Sequence, residues 1–236
     1  DAKDFVTEID RAAEKAIITA ILKAHPDHSI HAQASASIAG QGEGADYEWT
    51  IQSLDGVQNF IRGVPHFAVS IACKFRGRLE HAVIIDPVRQ EEFTASRGRG
   101  AAFNGRRIRV SKRKTLSDAL LATHFPFSEG QTDHMDNYMS MLTDLAVQSA
   151  GIRTAGVSSL DLAYVAAGRY DAFWTYNLSE ADMAAGVLII REAGGLVSDF
   201  NGGYDFLDRG HIVVGGSKCF KAVLTTIQPH IPHSFK

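Results

Sequence analysis

The amino-acid sequence predicts an α/β fold in which mixed β-sheets pack against helices in layers. The first half of the chain has a succession of short β-prone runs separated by turn residues, which indicates an antiparallel meander. The second half alternates helical and strand-like segments, which indicates helices packed on a sheet. The chain has 236 residues, 45% of them hydrophobic, and no internal repeat. That length suits one large domain or two closely packed halves.

The first predicted helix covers residues 4–24, where apolar residues recur at the three- and four-residue spacing of one helix face. Thr7 is predicted to cap this helix, and Pro26 ends it. A loop rich in Ala, Ser and Gly is expected over residues 33–45. A short strand over residues 47–51 then leads into a turn and a short helix formed by the LDGVQNF segment.

The clearest β region follows, with β-prone runs at residues 67–75, 82–86 and 92–95 separated by the turn-like segments RGR and DPVRQ. Residues 101–110 continue it, with NGRR as a hairpin turn. The later predicted elements are a strand (117–123), two helices (133–150 and 158–167), a strand (170–174), a helix (181–193), two strands (196–199 and 211–215) and a final helix (220–228). We expect one compact unit built from an α+β half, residues 1–150, and an α/β half, residues 151–236.

Composition argues against several classes of protein. The formal net charge of −3 provides no strong positive field for nucleic acid. No apolar run reaches the roughly 20 residues of a membrane helix, and the polar first residues do not form a signal peptide. Cys73 and Cys219 lie far apart in apolar surroundings, so we expect reduced core residues rather than a disulfide. These features predict a cytoplasmic protein.

Two acidic residues are candidate metal ligands. Asp55 in LDG lies just before a predicted helix, and Asp182 in EADMAAG lies at the start of another. Mg²⁺ prefers oxygen ligands and commonly uses one or two carboxylates together with water and substrate phosphate. Either residue can also be an ordinary carboxylate that stabilises a helix N-terminus. From these residues alone, that second interpretation is the simpler one.

Longer segments resemble the inositol monophosphatase family, in its bacterial extragenic-suppressor branch. They are residues 66–111, SLDLAYVAAGRYDAFW and DMAAGVLIIREAGGLVSDF, and the resemblance extends over essentially the whole chain. It implies a layered αβαβα sandwich of the inositol monophosphatase and fructose-1,6-bisphosphatase type. It also implies Mg²⁺-dependent hydrolysis of inositol 1-phosphate and related phosphomonoesters, and a homodimer. The family's N-terminal helix is expected to be absent, so the first helix here corresponds to the family's second.

The resemblance assigns the metal ligands position by position. The first metal-binding Glu of a Gly-Glu-Glu motif corresponds to Gln33. In the Asp-Pro-Leu-Asp-Gly-Thr-Thr motif, the first Asp, which bridges metals, corresponds to Gln52. The second Asp is kept as Asp55, and the carbonyl ligand is that of Leu54. The Asp of a Trp-Asp motif is kept as Asp182.

The catalytic and substrate-binding positions are assigned in the same way. Asp10 matches an Asp that pairs with the family's catalytic Thr, and that Thr corresponds to Val57. The backbone N–H groups of Gly56 and Val57 are predicted to bind phosphate or sulfate, because a helix begins there. A Glu that usually contacts the inositol hydroxyls corresponds to Thr175.

These departures predict a phosphatase whose activity is strongly reduced or lost. A neutral Gln cannot bridge two cations as a carboxylate does, and Val lacks the hydroxyl that positions water. General-base positioning of this kind contributes about 10²–10⁴ in rate. The departures from the family pattern surround one pocket and are Gln33, Gln52, Val57, Gln58, Thr175 and Ala181.

Three functions remain open. The first is an impaired Mg²⁺-dependent phosphatase that binds a phosphorylated small molecule. The second is a non-catalytic protein that contacts transcription factors or RNA polymerase, because bacterial members of this branch are linked to antitermination. The third is a small-molecule binder with a redesigned pocket.

Other polar residues receive simpler interpretations. We interpret His31 and His124 as histidines at the mouth of the pocket, because their spacing does not indicate a zinc site. The basic segment RGRGAAFNGRR is interpreted as hairpin turns with solvated arginines rather than as a nucleic-acid patch.

Overall fold

The computed structural model describes residues 2–33, 35–125 and 133–235, with residues 2–7 described in their backbone only. Its helices are α1 (Ala2–Ala24), α2 (Val57–Ile61), α3 (Met135–Gln148), α4 (Ser158–Ala166), α5 (Glu180–Glu192), α6 (Phe206–Arg209) and α7 (Ser217–Ile227). Its strands are β1 (Ser29–Ala32), β2 (Tyr47–Asp55), β3 (Ala68–Phe75), β4 (Arg78–Asp86), β5 (Glu91–Ser96), β6 (Gly100–Phe103), β7 (Arg106–Arg107), β8 (Leu120–Thr123), β9 (Gly151–Arg153), β10 (Ala172–Thr175), β11 (Leu196–Ser198) and β12 (Ile212–Gly215).

The strands form two sheets. The seven-stranded sheet follows chain order from β1 to β7, and the five-stranded sheet has the order β11-β12-β10-β8-β9. Strands β2 to β7 pair antiparallel in succession, which confirms the predicted meander. Strand β1 is the exception, because it pairs parallel to β2. In the second sheet β8 lies parallel to β9 and β10, whereas β12 is antiparallel to its neighbours.

Helices and sheets alternate in five layers, which confirms the predicted layered fold. Helix α1 packs on the seven-stranded sheet through a cluster that contains Ile21, Ile30 and Ile51. Helices α4 and α5 lie between the two sheets and share one core with both. Helices α3 and α7 cover the outer face of the five-stranded sheet. From one outer face of the protein to the other, the layers therefore have the order α, β, α, β, α.

Helix α4 and residues 183–190 of α5 are buried on all sides, which explains why these segments contain almost no charged residue. They cross so closely that a Cβ at Gly186 would lie 2.5 Å from the Cβ of Leu162. We therefore expect Gly186→Val to destabilise the protein by about 1–3 kcal/mol, measured by chemical denaturation. Ala20→Val on the exposed face of α1 is the control for the helix propensity of Val. An equal loss of unfolding free energy in both variants would contradict this close packing of α4 and α5.

Several element boundaries differ from the sequence prediction. The short elements β1, β9 and α6 were not predicted, and β8 begins at Leu120 rather than at residue 117. Thr7 lies inside α1 instead of capping it, and β2 continues to Asp55 beyond the predicted end at residue 51. Strands of three or four residues carry little pattern of their own, because their pairing partner determines them.

The connection between the sheets is the extended segment of residues 108–119. The predicted division at residue 150 therefore falls within the second sheet, because β8 pairs with β9 and β10. Cys73 and Cys219 are buried free thiols, as expected. Within the described residues, no helix has the length and hydrophobicity required to span a bilayer.

Candidate functional site

The site is built around the end of β2. The pairing of β2 with β3 shifts register between Gln52 and Asp55, so a bulge interrupts the ladder there. Bulges redirect side chains and often lie beside active sites. Gly56 follows with a φ of 93° and begins α2. A Cβ at Gly56 would lie 2.8 Å from Cγ2 of Val157, so both the backbone conformation and the packing require glycine.

Asp55 is held on the N-terminal turn of α4. Its Oδ2 accepts hydrogen bonds from the backbone N–H of Ser159 at 2.9 Å and from Ser159 Oγ at 2.6 Å. Burial raises the pKa of Asp55 to about 6, with a further contribution from the charge of Asp182, whereas the Ser159 hydrogen bonds oppose the shift. The two carboxylates expected from the sequence are therefore brought close together.

Asp182 lies in the first turn of α5 and forms a capping box with Ser179. Its Oδ2 accepts from the Ser179 backbone N–H at 2.8 Å and from Ser179 Oγ at 2.7 Å. The same helical turn is joined to the seven-stranded sheet, because Glu180 Oε1 lies 2.5 Å from Lys74 Nζ. Asp182 thus has the helix-stabilising role that the sequence left open, and its charge also reaches Asp55.

Gln33 and Gln52 each follow the last residues paired between β1 and β2. The two strands pair in parallel up to Ala32 opposite Ile51, so Gln33 comes directly after the end of β1, whereas Gln52 continues β2. Gln33 is exposed. Gln52 is only 7% exposed, and within the described residues its Oε1 has no hydrogen-bond partner. Such an orphaned buried acceptor costs about 1–3 kcal/mol.

Asp10 has a different partner from the one that the family resemblance implies. The hydroxyl of Ser53 donates to Asp10 Oδ1 at 2.6 Å. Val57, at the catalytic Thr position, is 38% exposed and has no group to donate. The sequence analysis did not select Ser53 as a site residue. Its position in the motif could have indicated it, because the family has Pro there and Ser adds a hydroxyl.

Thr175 is fully buried at the end of β10. Its hydroxyl donates to the carbonyl of His124 at 2.9 Å, so it faces the interior. Burial lowers the pKa of His124, and the charge of Asp182 opposes that shift, which places the imidazole near the site. His31 is exposed on β1, with Nε2 3.9 Å from Oε2 of Glu48.

Asp161 is a buried carboxyl that the sequence did not single out. It lies in the first turn of α4, has no exposed surface, and neither oxygen has a hydrogen-bond partner among the described residues. Burial raises its pKa well above the ordinary value, and the charge of Asp55 adds to the shift. No signal in the sequence marked it, because the surrounding segment has the pattern of a buried helix.

Whether Mg²⁺ can bind at this site depends on which oxygen ligands the residues supply. In the part of the chain that the structure describes, no group of three or more His, Cys, Asp or Glu residues is arranged to hold a metal ion. The oxygens that the family resemblance assigns to the site belong to two carboxylates, Asp55 and Asp182, together with the neutral groups of Gln33, Gln52 and Leu54. This set suits one Mg²⁺ completed by water and phosphate. It does not suit a pair of cations bridged by a carboxylate.

Comparisons with known proteins agree on one family. The model of the inositol monophosphatase family matches residues 1–232. The chain is 67% identical to "Nus factor SuhB" of Pseudomonas aeruginosa over 236 residues, which are 100% of this chain and 87% of that protein. It is 45% identical to "Nus factor SuhB" of Escherichia coli K12 over 235 residues, which are 100% of this chain and 86% of that protein.

Solved structures show the same relationship. The extragenic suppressor protein SuhB of Bartonella henselae superimposes with a TM-score of 0.89 at 41% identity, covering 94% of this chain and 84% of that one. Inositol monophosphatase from Anabaena superimposes with a TM-score of 0.86 at 31% identity, covering 99% of this chain and 91% of that one.

Proposed function

This chain belongs to the inositol monophosphatase family, and we propose that its phosphatase activity is strongly reduced or absent. It is then a pseudoenzyme that keeps the fold and the phosphate-binding end of the pocket. The observation that carries the proposal is the buried carboxamide of Gln52, at the position of the bridging Asp, whose oxygen has no hydrogen-bond partner among the residues that the structure describes.

The argument is electrostatic. The replacement of two carboxylates by Gln33 and Gln52 removes two negative charges from one small cluster. Carboxylates gather cations and hold them near a phosphate, whereas a neutral amide oxygen offers only a dipole. A single Mg²⁺ held by Asp55 and Asp182 would neutralise part of the phosphate charge. Among the positions that the resemblance assigns to the metal site, all of them described, no third carboxylate remains to bridge a second cation.

Two further features weaken catalysis. Val57 cannot hydrogen-bond the attacking water, because its side chain is aliphatic. Asp10 cannot pair with a hydroxyl at that position and instead accepts from Ser53. The remaining function of α2 is to present the N–H groups of its first turn, which have no partner within the helix.

A phosphatase assay tests the proposal. We expect wild-type protein at saturating Mg²⁺ to hydrolyse inositol 1-phosphate no more than a few-fold faster than Asp55→Asn. Removal of a working metal ligand should instead cost about 10²-fold or more. Mg²⁺-dependent turnover that is abolished by Asp55→Asn would contradict the proposal.

Phosphate or sulfate should still bind weakly at the start of α2. The N–H groups at the helix start attract anions independently of the side chain at position 57, and that of Gly56 already hydrogen-bonds the carboxylate of Asp55. We expect an NMR titration with inorganic phosphate to shift the amide signals of Gly56 and Val57. The amides of the distant helix α7 serve as the internal reference, and unchanged signals at Gly56 and Val57 would exclude this site.

A second function is contact with the transcription machinery. It is favoured by the relative named "Nus factor SuhB", to which the chain is 67% identical over its whole length. A cytoplasmic homodimer is part of this proposal. We expect purified RNA polymerase, alone or with elongation factors, to bind wild-type protein and Asp55→Asn equally in surface plasmon resonance. No binding of either protein would count against this function.

A further inference from the structure

A second concave surface lies away from the candidate site. Residues 109–114 belong to the extended connection between the two sheets, and we call them the basic strap. With the first turn of α7 and the end of α5, the strap lines a cavity of about 450 Å³. The cationic residues that line it are Arg109, Lys112, Arg113, Lys114 and Lys218. The strap itself contains no acidic residue.

The backbone of the strap is fixed, whereas its cationic side chains are exposed. The N–H of Val110 donates to the carbonyl of Ala193 at 3.2 Å, which ties the strap to the end of α5. The hydroxyl of Ser111 donates to Asp171 Oδ1. The strap therefore presents its charges from a defined position, without a large loss of backbone entropy on binding.

The nearby carboxylates leave most of this positive charge uncompensated. Asp171 is buried, accepts from the N–H of Leu120 at 2.7 Å, and lies 3.4 Å from Nε of Arg113. The carboxylate of Glu192 accepts from the N–H groups of Gly98 and Gly100. Among the described residues that line the cavity, Arg113 alone is therefore paired with one of these two carboxylates.

Helix α7 extends the positive surface. Lys218 and Lys221 are both exposed and lie three residues apart, which places them on the same side of the helix. The N-terminus of α7 adds the positive end of its dipole, and its first turn contains no acidic residue. Arg106 and Arg107 of the preceding hairpin, interpreted from the sequence as solvated arginines, lead directly into the strap.

We propose that the basic strap and the first turn of α7 bind the phosphodiester backbone of single-stranded nucleic acid. A row of exposed point charges suits a linear polyanion, whose phosphates repeat along its length. No aromatic side chain is among the described residues that line the cavity. It therefore lacks both the aromatic anchors of protein interfaces and a platform for stacking bases. Binding is independent of base sequence and sensitive to salt.

Fluorescence anisotropy with a labelled single-stranded oligouridylate of about 20 nucleotides tests the proposal. The test variant combines Lys112→Gln, Lys114→Gln and Lys218→Gln. It keeps Arg109, which donates to the carbonyl of Glu192, and Arg113, which is paired with Asp171. We expect its Kd to rise about 10-fold or more at about 100 mM salt. The plot of log K against log salt should become less steep by about 2, because each of the three lost phosphate contacts contributes roughly 0.7 to the steepness.

The control variant removes the same charge from α1, in the opposite outer layer, with Arg11→Gln, Lys15→Gln and Lys23→Gln. Equal weakening in the control, or no RNA binding by the wild-type protein, would overturn the proposal. It is also overturned if a nucleoside triphosphate binds as tightly as the oligonucleotide, which would indicate a small-ligand site. Equal competition by polyglutamate would indicate an acidic protein partner instead.

Discussion

The combined variant Gln33→Glu, Gln52→Asp, Val57→Thr is expected to hydrolyse inositol 1-phosphate about 10²–10⁴-fold faster than the wild-type protein at saturating Mg²⁺. The backbone for this reversion is already in place. Gln33 directly follows β1 and Gln52 lies within β2, each next to the last residues paired between these strands, and Asp55 is close to Asp182. The new carboxylates restore the charge that gathers cations, and Thr restores the hydroxyl.

Two comparisons make this expectation specific. Val57→Thr alone should change the rate by only a few-fold, because a hydroxyl without cations has no activated water to position. Adding Ser53→Pro to the combined variant should raise the rate further, because it releases Asp10 from the Ser53 hydroxyl. An unchanged rate in the fully reverted protein, with Mg²⁺ binding restored in calorimetry, would show that the pocket has a different purpose.

Asp161→Asn is expected to remove a pH dependence from the free energy of unfolding. The carboxyl of Asp161 is buried without a partner among the described residues, so its pKa is well above the ordinary 3.8. Above about pH 4 the unfolded chain releases this proton, whereas the folded protein keeps it. Stability therefore falls as pH rises, with a slope that approaches about 1.4 kcal/mol per pH unit.

Chemical denaturation between about pH 4 and pH 7 measures this slope. The slope is the informative quantity, and the absolute stability is not. The buried amide of Asn has its own desolvation cost of about 1–3 kcal/mol, which lowers stability equally at every pH. Asp136→Asn, an exposed residue in the first turn of α3, should change stability by no more than about 0.5 kcal/mol at any pH. Parallel curves for wild type and Asp161→Asn would mean that Asp161 is ionised in the folded protein.

Much of the architecture could be predicted from local pattern. The meander from β2 to β7 was predicted because alternating β-prone runs and tight turns repeat there. The buried helices α4 and α5 were predicted from apolar runs that glycine ends. Strands β1 and β9 were missed, because they are short and exist only through parallel pairing with residues distant in the chain.

The candidate site, like the fold, could be predicted only in part. Asp55 and Asp182 could be selected from their motifs, but the sequence could not show which neighbours hold them. Ser159 anchors Asp55 from 104 residues away, and Ser53 reaches Asp10 across 43 residues. Such contacts depend on the packing of separate helices and strands, which no local pattern encodes.

By itself the sequence determined the family, the layered fold and the chemical identity of each altered position, because residue types and their spacing are local properties. Only the tertiary structure decided that Gln52 is buried with an orphaned oxygen, that Asp161 lies without a partner near Asp55 within the described residues, and that the basic strap meets α7. Burial and charge proximity arise when distant segments pack together. They set the pKa values and binding surfaces on which function depends.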